Sequence, residues 1–379
     1  MTQEYSVPRE SYSQLFLRFL KFGFLAWGGP VAQIAMIRQE LVEEEKWISP
    51  ERFNRVLGVY QILPGPEANE LCVYFGMMSR GRLGGLLAGL GFMLPGFFLM
   101  FALSWFYVEY GINSVLFAGI FYGFQAAVPA LIVRAVHRIG THALRDKWLW
   151  AIGIASALAT FLNVNFILVL VAGGIAYALA KQTTFANPML LVLPISGVAV
   201  SFSAPTTLEL LGYGFRTGLL TFGGAYTAIP FLQRDAVIVG AWMTNQQFLD
   251  GLALSSILPA PLIIFSTFVG YLGGGPLGAL ALTAGVFIPA FSFTLIGHDL
   301  FERLVENKQV HSLLDGVTAA VVGLIAVTAV RLFQTALPDF PAIGIFILAL
   351  FALYRWKAKT AIAGVMLGAG LLGLIVRML

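Results

Sequence analysis

Residues able to handle a small charged solute recur at fixed spacing in this sequence, and all of them interrupt or lie within apolar stretches. Gly28-Gly29-Pro30 and Gly223-Gly224 form one pair of interruptions, and Pro64-Gly65-Pro66 and Pro259-Ala260-Pro261 form the other. A helix that starts just after a glycine pair presents free N–H groups and the positive end of its dipole, which favour an anion. Glycine also lets backbone approach a ligand closely. The residues that follow (Pro30, Val31, Ala32 and Gln33; Ala225, Tyr226 and Thr227) are uncharged, so amides rather than side chains would coordinate. The competing reading is that Gly-Gly only permits close helix packing in a membrane. Lys21 and Arg216 precede the two glycine pairs by about two helical turns; each would either complement a dianion or snorkel to the interface. Glu67, Asn69 and Glu70 follow the first proline break inside an otherwise apolar stretch, where ionisable groups are costly and need a reason. Proton coupling or cation pairing is one reason, and structural pairing with Arg80 or Arg82 is the other. Their counterparts Leu262, Ile264 and Phe265 are apolar, so only the first half carries acids.

The elements that must position these residues are membrane helices. The chain has 379 residues, 58% of them hydrophobic and 11% charged, with a mean hydropathy of +0.83; a soluble domain has roughly 45–50% apolar and about 25% charged residues. Thirteen apolar stretches follow one another with short loops, which leaves no room for a sizeable soluble catalytic domain. The formal charge of +4 is not gathered into a basic run with interleaved aromatics, so nucleic acid is not expected as a partner. Cys72 is the only cysteine, which excludes an internal disulfide and a thiolate metal cage. No hydrolase, zinc-protease, Walker or Rossmann signature is present. Neither an enzyme, a cofactor nor a metal site is expected. The N-terminal residues lack a signal-peptide pattern and are expected to be mature and cytoplasmic.

The interruptions also reveal a duplication. The glycine pairs lie 195 positions apart, as do Pro64 and Pro259, Trp47 and Trp242, Phe53 and Phe248, Glu40 and Asp235, and Lys21 and Arg216. The expected division is a first repeat over 1–185, a linker membrane segment over 186–207 containing the Met189 to Ser203 stretch, and a second repeat over 208–379. An odd linker span inverts the second repeat relative to the first. Thirteen full spans would put Arg38, Lys46, Arg52 and Arg55 outside, against the positive-inside rule. Nine spans with four re-entrant broken hairpins remove that conflict, and irregular backbone at membrane depth is tolerated where it is buried or lines a wet cavity. The preferred architecture is therefore an all-α polytopic membrane protein. It has two inverted repeats, each with two broken, re-entrant hairpins plus spanning helices, and its N-terminus is cytoplasmic.

The motifs Trp27-Gly28-Gly29-Pro30-Val31-Ala32, Gln61-Ile62-Leu63-Pro64-Gly65-Pro66-Glu67-Ala68-Asn69-Glu70-Leu71 and Gly81-Arg82-Leu83-Gly84-Gly85 resemble the chromate ion transporter family in its long, two-domain form. Phe222-Gly223-Gly224 and Pro259-Ala260-Pro261 are a weaker second copy. Trp27 stands where the family usually has phenylalanine, and Gln33 where histidine is common. The resemblance implies export of chromate across the bacterial inner membrane and chromate resistance. It also implies sulfate as the related oxyanion, with the proton motive force or an exchanged anion as driver. An oxyanion-selective channel and a sulfate-type transporter remain alternatives. On this reading the substrate meets Lys21, Gly28, Gly29, Pro30, Pro64, Gly65, Pro66, Arg216, Gly223, Gly224, Pro259 and Pro261, and Glu67 and Glu70 couple transport. The partners are the oxyanion and the lipid bilayer; oligomeric state is not set, and a homodimer is allowed.

Overall fold

A computed structural model describes residues 5–111, 115–181, 205–306, 308–356, 358 and 360–378, nearly all of them helical. The duplication is visible in how the helices begin. Ser11 caps α1 (Tyr12–Phe24) in a reciprocal capping box with Gln14, and Thr206, 195 positions on, caps α8 (Thr207–Leu220) in the same way with Glu209. Ser49 caps α3 (Pro50–Ile62) and Thr244 caps α10 (Asn245–Ser256), again 195 apart. Asp146 and Asp339 cap α6 (Lys147–Phe161) and α13 (Phe340–Arg355). Each cap satisfies N–H groups that the helix leaves unpaired.

The glycine pairs break the chain. Gly28 and Gly29 have φ of 90° and 77°, and Gly223 and Gly224 have 79° and 104°. After the first pair, α2 (Pro30–Ile37) continues into a π-helical turn, Arg38–Glu44. After the second, a 3₁₀ turn (Ala225–Thr227) leads into α9 (Ala228–Gln233) and the matching π turn Arg234–Val239. In both halves the π turn aims an acid back at the first helix: Glu40 meets Lys21 at 3.5 Å, and Asp235 meets Arg216 at 2.5 Å.

The proline breaks lead into α4 (Glu67–Tyr110) and, after the 3₁₀ turn Leu262–Ile264, α11 (Phe265–Glu306). Neither long helix is straight. The backbone leaves helical angles at Arg80 and Gly81, and Gly76 packs against Gly84 and Ala88. A straight helix would hold those residues about 12 and 18 Å away along its axis, so the chain reverses there. We call the arms α4a (67–79) and α4b (82–110). The same reversal at Gly274 and Gly275 sets Gly270 against Gly278 and divides α11 into α11a (265–273) and α11b (276–306).

Contacts locate the hairpin ends. The Ser6 N–H donates to the Lys46 carbonyl at 3.3 Å, Arg18 pairs with Glu45 at 2.5 Å, and the Ser79 hydroxyl donates to the Pro8 carbonyl at 2.7 Å. The open ends of α1–α2 and α3–α4a thus gather at the start of α4b. In the second half, Trp242 donates to the Val269 carbonyl at 3.2 Å and packs by Tyr213 and Gly273, which gathers the equivalent ends at the start of α11b. The helices α4b and α11b run antiparallel: Gly85 lies by Leu295 and Gly89 by Phe291. The two gathered ends are consequently at opposite ends of this helix pair. The halves also interlock. α5 (Val115–Ala143) packs on α13 and α14 (Ala361–Met378), while α12 (Lys308–Ala336) packs on α6 and α7 (Phe166–Ala180). Glycine makes these approaches close, as at Gly119 against Leu374 and Gly173 against Gly316.

Among the described residues, Glu67–Tyr110, Leu116–Ala143, Leu262–Gly297, Val310–Ala336 and Ala361–Met378 are long and apolar enough to cross a membrane. The apolar helices Lys147–Phe161, Phe166–Ala180 and Phe340–Arg355 are shorter. Phe98, Trp150, Leu168, Phe351 and Ile375 are outward-facing and more than half exposed, as a lipid-facing surface requires. The chain is a multi-pass membrane protein. The Met189 to Ser203 stretch of the expected linker lies outside the described residues.

Candidate functional site

A cavity of about 580 Å³ opens between the first-half hairpins and the α5–α12 pair. Its inner wall is made by Glu67 and Gly223, and α2 and α3 contribute Pro30, Val31, Ile34, Gly58 and Gln61. Arg138, His142 and Arg145, from α5 and the turn after it, line the way out together with His311, Asp315 and Thr318 of α12. The cavity follows a seam in the packing. Phe19, Phe22, Trp47, Phe53, Phe75 and Phe92 belong to a buried cluster confined to the first-half hairpins and α4, while the second-half hairpins share one large cluster with α5 and α12.

Charge inside the cavity is unevenly satisfied. Arg145 pairs with Asp315 at 3.2 Å, and His311 lies 3.6 Å from the same carboxylate. Arg138 has no carboxylate within ion-pair distance among the described residues; its guanidinium lies 5.8 Å from the Tyr226 ring centroid. Such a guanidinium is a forked donor matched to an oxyanion. Glu67 is 8% exposed and Glu70 fully buried, and neither forms an ion pair among the described residues. Oε2 of Glu67 and both carboxylate oxygens of Glu70 lack hydrogen-bond partners among the described residues. The alternative that these acids pair with Arg80 or Arg82 is not what the fold provides, because Arg80 donates to the Glu10 carbonyl at 2.5 Å instead.

The four breaks do not play equal parts. Pro64-Gly65-Pro66 docks on the second glycine turn: the Gly65 N–H donates to the Thr221 carbonyl at 2.9 Å, and Pro64 bridges to Phe222. Glu67, directly after that break, lies against Gly224; a methyl group added there would stand 3.2 Å from Oε1. Gly28 and Gly29 flank the cavity through Pro30 and Val31, and Gln33 clamps this turn by donating to the Ala26 carbonyl at 2.9 Å. Pro259 and Pro261 do not line the cavity, and Ala260 between them packs against Gly96 of α4b. Lys21 and Arg216 do not line it either, being held by Glu40 and Asp235. The π turns return an acid to Lys21 and to Arg216, and Arg138 lines the cavity without such a partner among the described residues.

Sequence reasoning also passed over Asp250. It is fully buried on α10 and accepts hydrogen bonds from Tyr107 of α4b at 2.8 Å and Gln125 of α5 at 2.7 Å, tying the second half to the first. The signal was present, since Asp250 is an acid within the apolar stretch Phe248 to Leu272.

Comparison with known proteins agrees with this geometry. The family described as chromate transporter matches twice, over residues 13–178 and 208–374. A chromate transport protein of Pseudomonas aeruginosa is 54% identical, covering 99% of this chain and 95% of its own. A probable chromate transport protein of Synechococcus elongatus is 33% identical over 92% of this chain and 91% of its own, and a chromate transport protein of Cupriavidus metallidurans is 29% identical over 98% and 94%. No solved structure matches the chain. These relatives are transporters rather than enzymes. With the family matching both halves and covering nearly the whole sequence, the chain belongs to the chromate transporter family.

Proposed function

We propose that this protein is a secondary transporter that exports chromate, with sulfate as the related oxyanion, across the bacterial inner membrane and so confers chromate resistance. The observation that carries this reading is Arg138, a guanidinium without a carboxylate partner among the described residues, in one cavity with the glycine turns at Pro30 and Gly223 and with Glu67. A tetrahedral dianion suits a forked cation backed by backbone amides. Glu67 and Glu70 are the coupling acids. What favours a carrier over a channel is that the cavity lining runs from exposed His142 and Arg145 to Glu67, which is buried.

Topology supports the direction. The same-end contacts of each hairpin and the antiparallel α4b and α11b fit two inverted repeats with re-entrant hairpins. The first-half ends, the α5–α6 turn and the cavity mouth are then cytoplasmic, as the basic residues there require. Leaving a cell that is negative inside is worth roughly 4.6 kcal/mol per 100 mV to a dianion, twice the value for one charge. The membrane potential alone therefore favours export, and exchange with an external anion would add to it.

Labelled chromate uptake into everted vesicles tests the reading: accumulation that equals that of protein-free vesicles would sink it. Cysteine accessibility in a Cys72→Ser background tests the topology. Labelling from outside is expected for Asn245→Cys and not for Glu44→Cys, and the reverse pattern would refute the re-entrant arrangement.

A further inference from the structure

Resting on the transporter reading, the geometry points to a more specific role for Glu67: we infer that its carboxylate is a tethered anion that occupies the Gly223-Gly224 turn of the empty protein and must take up a proton and leave when an oxyanion binds. Glu67 reaches across from the first half to a turn of the second. A methyl group at Gly224 would stand 3.2 Å from Oε1 and 3.5 Å from Oε2, so the carboxylate packs directly on the glycine backbone. It is 92% buried by exposure, and Oε2 has no hydrogen-bond partner. Nothing in the packing holds it there by an ion pair, yet it fills the wall of the cavity that also holds Gly223 and Arg138.

A carboxylate and an oxyanion are the same kind of ligand: negative oxygens seeking backbone N–H and guanidinium donors. Both cannot sit at one turn, and a dianion beside a charged Glu67 in a poorly solvated wall is strongly repelled. The step that resolves this is the transfer of one proton from the cavity water to a Glu67 oxygen, which forms an O–H bond and leaves hydroxide for the bulk buffer to neutralise. The net change is one proton taken up for each anion bound. The Gly28-Gly29 turn has no such competitor, because the residue equivalent to Glu67 in the second half is Leu262. One turn is therefore a standing cradle and the other a switched one.

Other groups titrate or carry charge around Glu67: Glu70 on α4, Arg134, Arg138 and His142 on α5 with Arg145 beyond it, and His311 and Asp315 on α12. Tyr226 lies beside the turn. Comparison of the wild type with Glu67→Gln cancels their contributions, since all of them remain in both.

The experiment is calorimetric binding of sulfate to the full-length protein in nanodiscs, between pH 6 and 8.5 and in buffers of different ionisation enthalpy. Sulfate is the probe because it stays a dianion over this range, whereas chromate protonates near neutrality. At the alkaline end of this range the wild type is expected to take up close to one proton per sulfate bound, with affinity rising by up to about tenfold per pH unit as pH falls, by the reciprocity of linked binding. Glu67→Gln is expected to bind sulfate with little proton uptake and at least about tenfold more tightly than wild type at pH 8. Glu67→Asp, which keeps the acid on a shorter arm, is expected to restore part of the proton uptake. Undiminished proton uptake in Glu67→Gln would overturn the inference, and so would weaker binding than wild type at every pH in a variant that remains monodisperse. Failure of the wild type to bind sulfate or chromate at all would overturn the transporter site itself, a different outcome from either.

Discussion

Replacement of Gly224 by alanine separates backbone conformation from space at the site. Gly224 has φ of 104° and ψ of 170°, and Gly29 has φ of 77° and ψ of −173°. Both lie in a region that is essentially open to glycine alone, where a side chain costs of order 1–3 kcal/mol. The two sites differ in room. A methyl at Gly29 would meet only Ile362, at 3.8 Å, an ordinary contact, whereas one at Gly224 would stand 3.2 Å from the Glu67 carboxylate. Gly29→Ala thus carries the conformational cost alone, and Gly224→Ala adds loss of the surface on which an anion would sit. The conformational cost corresponds to roughly 5–150-fold in an equilibrium constant. Chromate uptake into everted vesicles should fall within that range for Gly29→Ala and by at least about tenfold more for Gly224→Ala, with similar thermal destabilisation for the two. The readout is initial rate at fixed protein content, alongside the melting temperature of each purified variant. Equal loss in the two variants would show that the glycines matter only for their backbone, and a Gly224→Ala protein with wild-type transport would refute the placement of the site at this turn.

Three further outcomes follow from the contacts. Arg138→Gln removes the charge and leaves a shorter polar side chain; loss of a charge-assisted hydrogen bond worth about 1.5–3 kcal/mol should raise the half-saturating chromate concentration roughly 10–150-fold, read in the same vesicles, and an unchanged value would remove Arg138 from the site. Asp250→Asn turns one acceptor oxygen into a donor facing Tyr107 or Gln125. It should cost about 1–3 kcal/mol, and Tyr107→Phe in the same chain should add less than its cost alone; additive losses would refute the coupling. Asp146 accepts from the Trp148 and Leu149 amides, from Tyr177 and from Lys181. Burial pushes its carboxyl up, but the Leu149 amide, Lys181 and Tyr177 outweigh that and hold it at about 2. Because the folded value lies below the unfolded one, its contribution is full above about pH 4 and is lost as pH falls through about 2. At neutral pH Asp146→Ala should cost about 1 kcal/mol, seen as a lower melting temperature, and the difference from wild type should shrink in acid.

Much of this arrangement was legible in the sequence because it rests on backbone chemistry. Glycine pairs and Pro-x-Pro breaks mark where a helix must stop, and the register of 195 carried those marks from one half to the other. The same register joins Ser11 to Thr206 and Ser49 to Thr244, caps that set where the broken arms begin, although these were read only in the structure. The reversals within α4 and α11 were legible as separate apolar stretches. What the sequence did not yield was the partner of each charge. Lys21 and Arg216 looked like site cations because they precede the glycine turns, but a π turn adds a residue to each second arm and swings Glu40 and Asp235 onto them. Arg138 stands in the sequence among other basic residues, Arg134, Arg145 and Lys147, with nothing local to single it out. Its place in the cavity depends on α5 packing across to the other half, a long-range contact with no local signature.

The duplication also predicts a conformation other than this one. On the proposed inverted-repeat reading, access alternates as one repeat rocks against the other around the site, so a contact made by one half and missing from the other marks what should form next. Here the Gly65 N–H donates to the Thr221 carbonyl, and Pro64 bridges to Phe222. The register of 195 maps these onto Ala260 with Ala26, and Pro259 with Trp27. Neither contact is made. The Ala26 carbonyl accepts from Gln33 instead, and the Ala260 N–H donates to Leu258 at 2.9 Å. Access from the opposite side should therefore break the Pro64–Phe222 bridge and bring Ala26 to Ala260, with Gln33 giving up its acceptor. Residues bridged in this way are close enough for a disulfide. In a Cys72→Ser background, oxidation of Pro64→Cys/Phe222→Cys should trap the present state. Ala26→Cys/Ala260→Cys should cross-link only while the protein is cycling, in vesicles given chromate, and should stop transport when it does. Transport that continues after Pro64→Cys/Phe222→Cys is fully cross-linked would show that this bridge need not open, and exchange between the halves could then not be how the anion crosses.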